Sequence, residues 1–298
     1  MINRVTQQTV QRTTLANVQL NLAKMSDLQA RMSSGKLITK PSDDPAGTAT
    51  AMSLRSQVRA AEQFSRNADD GVGWLSTVDF ALNASVTDLR KARDLTVQGG
   101  NGSLNAAGRE AIARQLEGVR DGLLAQANAT YLGRSVFAGT SDAGVAFTDG
   151  AAVPPYAWTG TAGATVDRRL ATDTTVRADA DGATVFGTGA GSVFALIDSI
   201  AADLRAGVNV GPRLTEIDTR MDTMLGELSG AGTRYNQMTA AQDLTAKAVM
   251  DLTSQLGRVE DIDLAATILD LESQEVAYKG ALGAAARVLQ PTLMDFLR

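Results

Sequence analysis

Asp43 with Asp44, Asp261 with Asp263, and the set Asp167, Asp173, Asp179 and Asp181 are the residues of this chain whose type and spacing could carry chemistry. Neighbouring carboxylates can hold a hard cation, and two carboxylates flanking a cleft can hydrolyse a glycoside. The 298 residues include no cysteine and no histidine. Thiolate nucleophiles, imidazole bases, disulfides and the common zinc-ligand sets are therefore gone, which excludes a zinc protease and a thiol hydrolase. Asp44 stands directly before Pro45, the pattern of a helix N-cap followed by proline at the first helical position, so capping is the simpler reading of Asp43-Asp44. Asp261 and Asp263 read as a polar hinge. Gly35-Lys36 is no phosphate loop, since no glycine lies five residues earlier and neither Ser nor Thr follows the lysine. The four aspartates from 167 to 181 stay open as an acid pair, in a segment of about fifty residues that has little core with which to build a cleft. Asn83, Asn101 and Asn128 each open an Asn-x-Ser/Thr triplet, a weak basis for modification without a secretory signal.

The elements that would position these residues are helical. Leu15, Val18, Leu22, Met25, Gln29 and Met32 alternate three and four residues apart, a coiled-coil seam on a first helix. Gly35 falls where a left-handed residue ends a helix, and Pro41 forces Lys40 toward extended backbone. A second helix then begins at Pro45. Leu54, Val58, Ala61, Ser65, Ala68, Val72, Leu75, Asp79, Leu82, Val86, Leu89 and Arg93 keep one register. It carries the helix past Gly71 and Gly73, which would each cost about 1 kcal/mol relative to alanine, as far as about Val97. Ile112, Leu116, Val119 and Leu123 mark a third helix running to about Thr130, and Val193, Leu196, Ile197, Ile200 and Leu204 a short one. Leu214 through Val259 holds fourteen seam positions without a miss. The register slips at Asp261 to Asp263 and resumes through Leu264, Ile268, Leu271, Glu275, Tyr278, Leu282, Ala285 and Leu289.

Between these helices, residues 140–191 are rich in glycine, with short β-branched runs at 174–176 and 183–185, and Asp181-Gly182 predicts a hairpin turn between two strands. The fold class is therefore mainly α with a small β-rich insertion. Three domains follow: a terminal coiled coil (1–32 and 264–298), a long-helix bundle (33–139 and 192–263) and the insertion (140–191). Leu15, Val18, Leu22 and Met25 on the first helix, with Leu271, Leu282 and Leu289 on the last, are the expected packing residues of the terminal pair. The apolar tail adds Leu293, Phe296 and Leu297, either packed on that pair or offered to a partner. Each large aliphatic contributes about 1.5–3 kcal/mol if fully buried, against about 1–2 kcal/mol of backbone entropy for each of some sixty residues ordered. An isolated pair is not robust on that comparison, and neighbouring subunits are expected to order it. A net charge of -5 with no run of five basic residues lacks the footprint of a nucleic-acid binder. No run of eighteen apolar residues is present, so no membrane span is expected, and residues 1–20 have neither an apolar core nor a cleavage motif of a signal peptide.

The corner SSGKLITKPSDDPAG, the segments RKARDLTVQGGNGSL and ANATYLGRSVFAG, and the last eight residues PTLMDFLR together resemble the flagellin superfamily, over about 1–139 and 212–298. Lys40 to Pro45 and the end Met294 to Arg298 are more similar to its hook-associated branch than to filament flagellin. The resemblance implies an extracellular structural protein at the hook–filament junction. Its expected partners are further copies of itself in a ring or helical lattice, the first hook-associated protein, and flagellin. It also implies export through the flagellar type III apparatus without a cleavable signal, with an export chaperone on the C-terminal helix. No cofactor or metal is implied. In this reading Gly35, Lys36, Pro41, Asp43, Asp44, Pro45 and Gly47 form an assembly joint. Filament flagellin, or a carboxylate hydrolase carried on a flagellin-like frame, are the alternatives.

Overall fold

The structure, a computed structural model, describes the backbone of residues 2–289 and the side chains of residues 9–287. The chain divides into two compact units, Met1–Arg59 with Val249–Arg298, and Ala60–Ala248. Its elements in order are α1 (Ile2–Ser34), α2 (Pro45–Gly99), α3 (Ala106–Ala127), β1 (Thr130–Tyr131), β2 (Arg134–Ser135), β3 (Asp167–Arg169), β4 (Thr175–Arg177), α4 (Gly182–Phe186), α5 (Val193–Ala206), α6 (Arg213–Glu260) and α7 (Leu264–Leu289). The fold is mainly α, with two antiparallel two-stranded ribbons, β1-β2 and β3-β4.

In the terminal unit α1 and α7 pack side by side. The Gln274 amide donates to Asn21 Oδ1 (3.2 Å), while Lys36 and Asp261 form an antiparallel bridge, so the helices run in opposite directions. The face of α1 that is at least half covered carries Thr14, Val18, Asn21, Met25, Leu28 and Arg31; on α7 it carries Thr267, Leu271, Gln274, Tyr278, Ala281 and Ala285.

In the larger unit the seams expected on α2 and α6 are buried or half-buried, from Ala61 to Leu89 and from Ile217 to Thr245, apart from Asp79 and Tyr235, which lie exposed. At 55 and 48 residues these helices are about 80 and 70 Å long at 1.5 Å per residue. Between Trp74 and Thr96 the buried stripe on α2 widens to include Val78, Ala81, Ser85, Ala92 and Leu95. The extra width joins a core shared with Ile112, Leu116, Val119 and Leu123 of α3 and Phe194, Ile197, Ile200 and Leu204 of α5. Gly71 and Gly73 fit the uninterrupted helix because each leaves a socket. A Cβ at Gly71 would lie 2.2 Å from the Met238 sulfur of α6, and one at Gly73 would lie 2.4 Å from the Tyr131 hydroxyl oxygen.

The insertion is anchored on this core. Phe137, Phe147, Phe186 and Phe194 are fully buried, with ring centroids 5.2–5.8 Å apart. Asn128, just past α3, acts as a stretch of backbone: its Oδ1 accepts from the Ala146 and Phe147 amides (2.8 Å each) and its Nδ2 donates to the Phe147 carbonyl (3.1 Å). Thr175 and Val176 form β4 as their β-branched run predicts, but Asp181-Gly182 is no hairpin turn. Asp181 caps α4, accepting from Ala183 N–H (3.0 Å) and the Thr184 hydroxyl (2.8 Å), and residues 183–185 are helical. Aspartate serves an N-cap as well as a turn, and burial of Val185 and Phe186 in the core selects the helix.

Candidate assembly joint

The corner after α1 is held by hydrogen bonds that its residue types dictate. Gly35 has φ +69° and its N–H donates to the Arg31 carbonyl (2.8 Å), closing α1 in the left-handed cap for which glycine pays no Cβ penalty. Past Pro41, Asp43 Oδ2 accepts from the Thr39 hydroxyl (2.8 Å), Thr39 N–H (3.2 Å) and Lys40 N–H (2.8 Å). The Thr39 hydroxyl, followed by the Lys40 amide, holds the Asp43 carboxyl below the usual aspartate range. Asp44 Oδ1 accepts from Gly47 N–H (2.9 Å), so Asp44 is the N-cap and Pro45 the first residue of α2. A Cβ at Gly47 would fall 2.3 Å from Asp44 Oδ2 and 2.8 Å from Ile38 Cδ1, so any larger residue would push the capping carboxylate aside. Both carboxylates are therefore spent on turning the chain, and among the described residues no group of three or more His, Cys, Asp or Glu side chains is placed to hold a metal ion.

This corner is fastened to the break between α6 and α7 in the same unit. Leu37 N–H donates to the Glu260 carbonyl (2.5 Å) and Ile262 N–H to the Gly35 carbonyl (3.2 Å), a short antiparallel ladder around the Lys36–Asp261 bridge. Asp263 then caps α7 by accepting from Ala266 N–H (3.1 Å). Side chains reinforce the ladder. Lys36 Nζ lies 2.6 Å from Asp261 Oδ1 and 3.5 Å from Glu260 Oε2, and Arg55 reaches Glu260 Oε1 at 2.8 Å. The Asp261 hydrogen bond, with Glu260 behind it, holds the Lys36 ammonium above the usual lysine range. Glu260 is the one buried acid here, flanked by two half-exposed cations. Beside it Ile38, Thr39, Lys40, Pro41, Thr48, Ala51, Met52 and Arg55 line a cleft of about 300 Å³, and the buried Thr48 hydroxyl has no hydrogen-bond partner. Glu260 and Arg55 were not legible as partners of the corner. The available signal was a charged residue directly before the register slip at Asp261.

The terminal packing residues divide into two groups. Val18, Met25 and Leu271 lie on the faces that α1 and α7 turn to each other, whereas Leu15, Leu22 and Leu282 lie on outer faces with Leu20, Leu264, Ile268, Leu269 and Val276. The Leu289 side chain and residues Leu293, Phe296 and Leu297 lie outside the described residues. Of the aspartates in the insertion, Asp167 accepts from the Thr165 hydroxyl (3.0 Å). Asp179 is buried and accepts from Val166 N–H (2.9 Å) and Arg177 Nε (2.8 Å), and Asp181 is a cap. Asp173 sits in the turn joining β3 to β4. An apolar groove of about 640 Å³ lies along Ala61, Phe64, Leu170, Val176, Ala241 and Leu244, with no ionisable side chain in its lining.

Residues 5–142, a little under half of the chain, match the family model for the bacterial flagellin N-terminal helical region. Among curated relatives, it is 36% identical over 103 residues to flagellin B of Vibrio anguillarum (35% of this chain, 27% of that protein). It is 33% identical over 102 residues to the flagellar filament 41 kDa core protein of Borreliella burgdorferi (34% of this chain, 30% of that protein). These matches span less than a third of the relatives' lengths. Two solved structures share the fold over most of the chain. One, from Vibrio parahaemolyticus and described as a flagellar hook-associated protein, superposes with TM-score 0.67 at 22% identity, covering 74% of this chain and 100% of that one. The other, flagellar hook-associated protein-3 of Legionella pneumophila, gives 0.62 at 14% identity, covering 69% and 98%.

Proposed function

We propose that this chain is a junction subunit of the flagellum, joining the hook, through the first hook-associated protein, to the flagellin filament. In this reading copies of the chain pack by their terminal helices into a ring or helical lattice. The observation that carries it is the outer face of the α1–α7 pair, where Leu15, Leu22, Ile268, Leu269, Val276 and Leu282 are exposed, while the inner face mixes Val18, Met25, Leu28 and Leu271 with small and polar residues. Large aliphatics left exposed on a helical pair call for neighbouring helices to cover them. The fold shared with hook-associated proteins and the tail Met294 to Arg298 favour the junction over the filament. The corner Gly35, Lys36, Pro41, Asp43, Asp44, Pro45 and Gly47 is proposed as the joint at which the terminal pair (1–32 and 264–298) meets the bundle (33–139 and 192–263), with the insertion at 140–191 as a third domain.

Export through the type III apparatus with a chaperone on the C-terminal helix belongs to the same reading, as does a structural, non-catalytic role outside the cell. A filament-flagellin reading is favoured by one observation: the curated relatives are filament proteins, at 33–36% identity over the N-terminal region. Deleting the gene separates the two. A junction subunit's loss leaves flagellin secreted into the medium with no filament retained on the hook. Normal filaments in that strain would overturn the proposal, and absence of any flagellin from both cell and medium would favour the filament reading.

A further inference from the structure

The terminal helices each carry two seams, and the pair uses the less apolar one. On α1 the repeat Leu15, Val18, Leu22, Met25 and Gln29 competes with Thr14, Val18, Asn21, Met25 and Leu28, and the second set is the half-buried one. On α7 Ile268, Leu271, Glu275, Tyr278 and Leu282 compete with Thr267, Leu271, Gln274, Tyr278 and Ala281. Again the second set is covered, while Ile268 and Leu282 stay exposed. The two seams share alternate members, Val18 and Met25 on α1 and Leu271 and Tyr278 on α7. Successive residues lie about 100° apart around a helix, so a roll of about 50° on each helix exchanges one seam for the other. The shared residues stay between the helices, and Leu15, Leu22, Ile268 and Leu282 turn inward. Apolar burial alone favours that roll, since these four side chains are 40–57% exposed as the pair stands.

What opposes the roll is a polar pair in the seam. Gln274 Nε2 donates to Asn21 Oδ1 at 3.2 Å and to the Asn21 carbonyl at 3.3 Å, and both residues are half-buried. Among the described residues, no other side chain of α1 from Thr14 to Arg31 hydrogen-bonds α7. Each alternative seam also carries one long polar residue, Gln29 or Glu275, so neither rotation is free of polar groups; the difference is that Asn21 and Gln274 find each other. A hydrogen-bonded polar residue at a seam position is the device by which paired helices give up stability to fix one arrangement. The ladder around Lys36–Asp261 sets the level of the two helices along their axes. It lies about 20 Å from Asn21 at 1.5 Å per residue and holds the facing of that stretch only weakly.

We infer that Asn21 and Gln274 are a face lock, whose hydrogen bond selects the rotation that leaves Leu15, Leu22, Ile268 and Leu282 outside. Without the bond, the rolled pair covers those aliphatics within one chain and takes them out of use. That they meet neighbouring copies belongs to the proposed function. The lock itself is a property of the single chain and is tested there.

The chain has no native cysteine, so disulfide trapping in the purified full-length protein reports the facing directly. With Asn21 against Gln274, Thr14 and Ala281 stand opposite each other one heptad away, on the covered faces. The next residue on each helix, Leu15 and Leu282, meets its counterpart only after the roll. In the parent, Thr14→Cys with Ala281→Cys should cross-link in preference to Leu15→Cys with Leu282→Cys. Adding Asn21→Ala and Gln274→Ala, which keeps two good helix formers, should move the ratio toward the second pair by about three- to tenfold, the factor set by one net hydrogen bond. Alkylation of Leu22→Cys by iodoacetamide should slow by a similar factor. The exchanged pair Asn21→Gln with Gln274→Asn restores the hydrogen bond and should return the ratio toward the parent, which a residue that merely fills space would not do. An unmoved ratio in the double-alanine chain, loss of both cross-links there, or no Thr14–Ala281 cross-link in the parent would overturn the inference. Normal filaments in the deletion strain would sink the junction role and leave these results untouched, so the two fail separately.

Discussion

The two units bury their side chains in opposite ways. In the 60–248 unit the largest aromatics and leucines, among them Phe137, Phe194, Leu75, Leu82 and Leu116, are fully enclosed by the chain's own helices. In the terminal unit no described side chain of α1 is buried, and of those described on α7 only Thr267 and Ala285 are; Val18, Met25, Leu28 and Leu271 are half-buried between the helices, while Leu15, Leu20, Leu22, Leu264, Ile268, Leu269, Val276 and Leu282 are exposed. The first unit is complete as a single copy. The second resembles one half of an interface, with its inner face sufficient to pair two helices and its outer face left for something else. In the proposed reading, stability and assembly are thus written into different stretches of one chain.

The greatest loss of stability should come from Phe194→Ala, which empties a site ringed by Phe147, Tyr156 and Phe186. Urea unfolding should show the 60–248 unit weakened by about 3–5 kcal/mol, while hydrogen exchange in α1 and α7 stays as in the parent. If both units weaken together, they are not independent in the sense argued. A smaller effect is expected from Arg55→Ala. It leaves the buried Glu260 with Lys36 at 3.5 Å as its remaining cation and should destabilise the terminal unit by about 1–3 kcal/mol, read as faster exchange of the Leu37 and Ile262 amides. Unchanged exchange at those amides would show that the ladder needs no side-chain clamp. Least of all should Leu22→Ser affect the monomer, within about 0.5 kcal/mol because the side chain is already exposed; its deficit should appear only as fewer copies retained on flagella. A clear drop in monomer stability would mean that Leu22 is covered within the single chain.

Much of this was legible in the sequence, for reasons that differ by region. α2 and α6 declare themselves because their seams are apolar and are covered by helices of the same chain. The corner is legible because Gly35, Pro41, Asp44 and Pro45 each have a local backbone reason to be there, independent of what packs around them. The widened face of α2 from Trp74 to Thr96 escaped a single-seam reading, since Ser85 and Thr96 are polar and return their hydroxyls to the Ala81 and Ala92 carbonyls of their own helix (2.7 Å each). The inner face of α1 was missed for a related reason. Thr14, Asn21 and Arg31 are poor seam residues, whereas Leu15 and Leu22 are good ones, and an apolar repeat records where burial is needed without recording which copy supplies the cover. Glu260 with its two cations joins positions more than two hundred residues apart, a distance at which no local pattern operates.

The sockets at Gly71 and Gly73 have a mechanical consequence. Within three residues α2 is keyed twice, once by the Met238 sulfur of α6 and once by the Tyr131 hydroxyl of the β1-β2 ribbon, and a side chain seated in a notch resists displacement along the axis as well as away from it. The Met238 side chain in the Gly71 notch therefore opposes sliding of α2 along α6 at that level. The glycines that looked like weak points in the helix are where it is pinned.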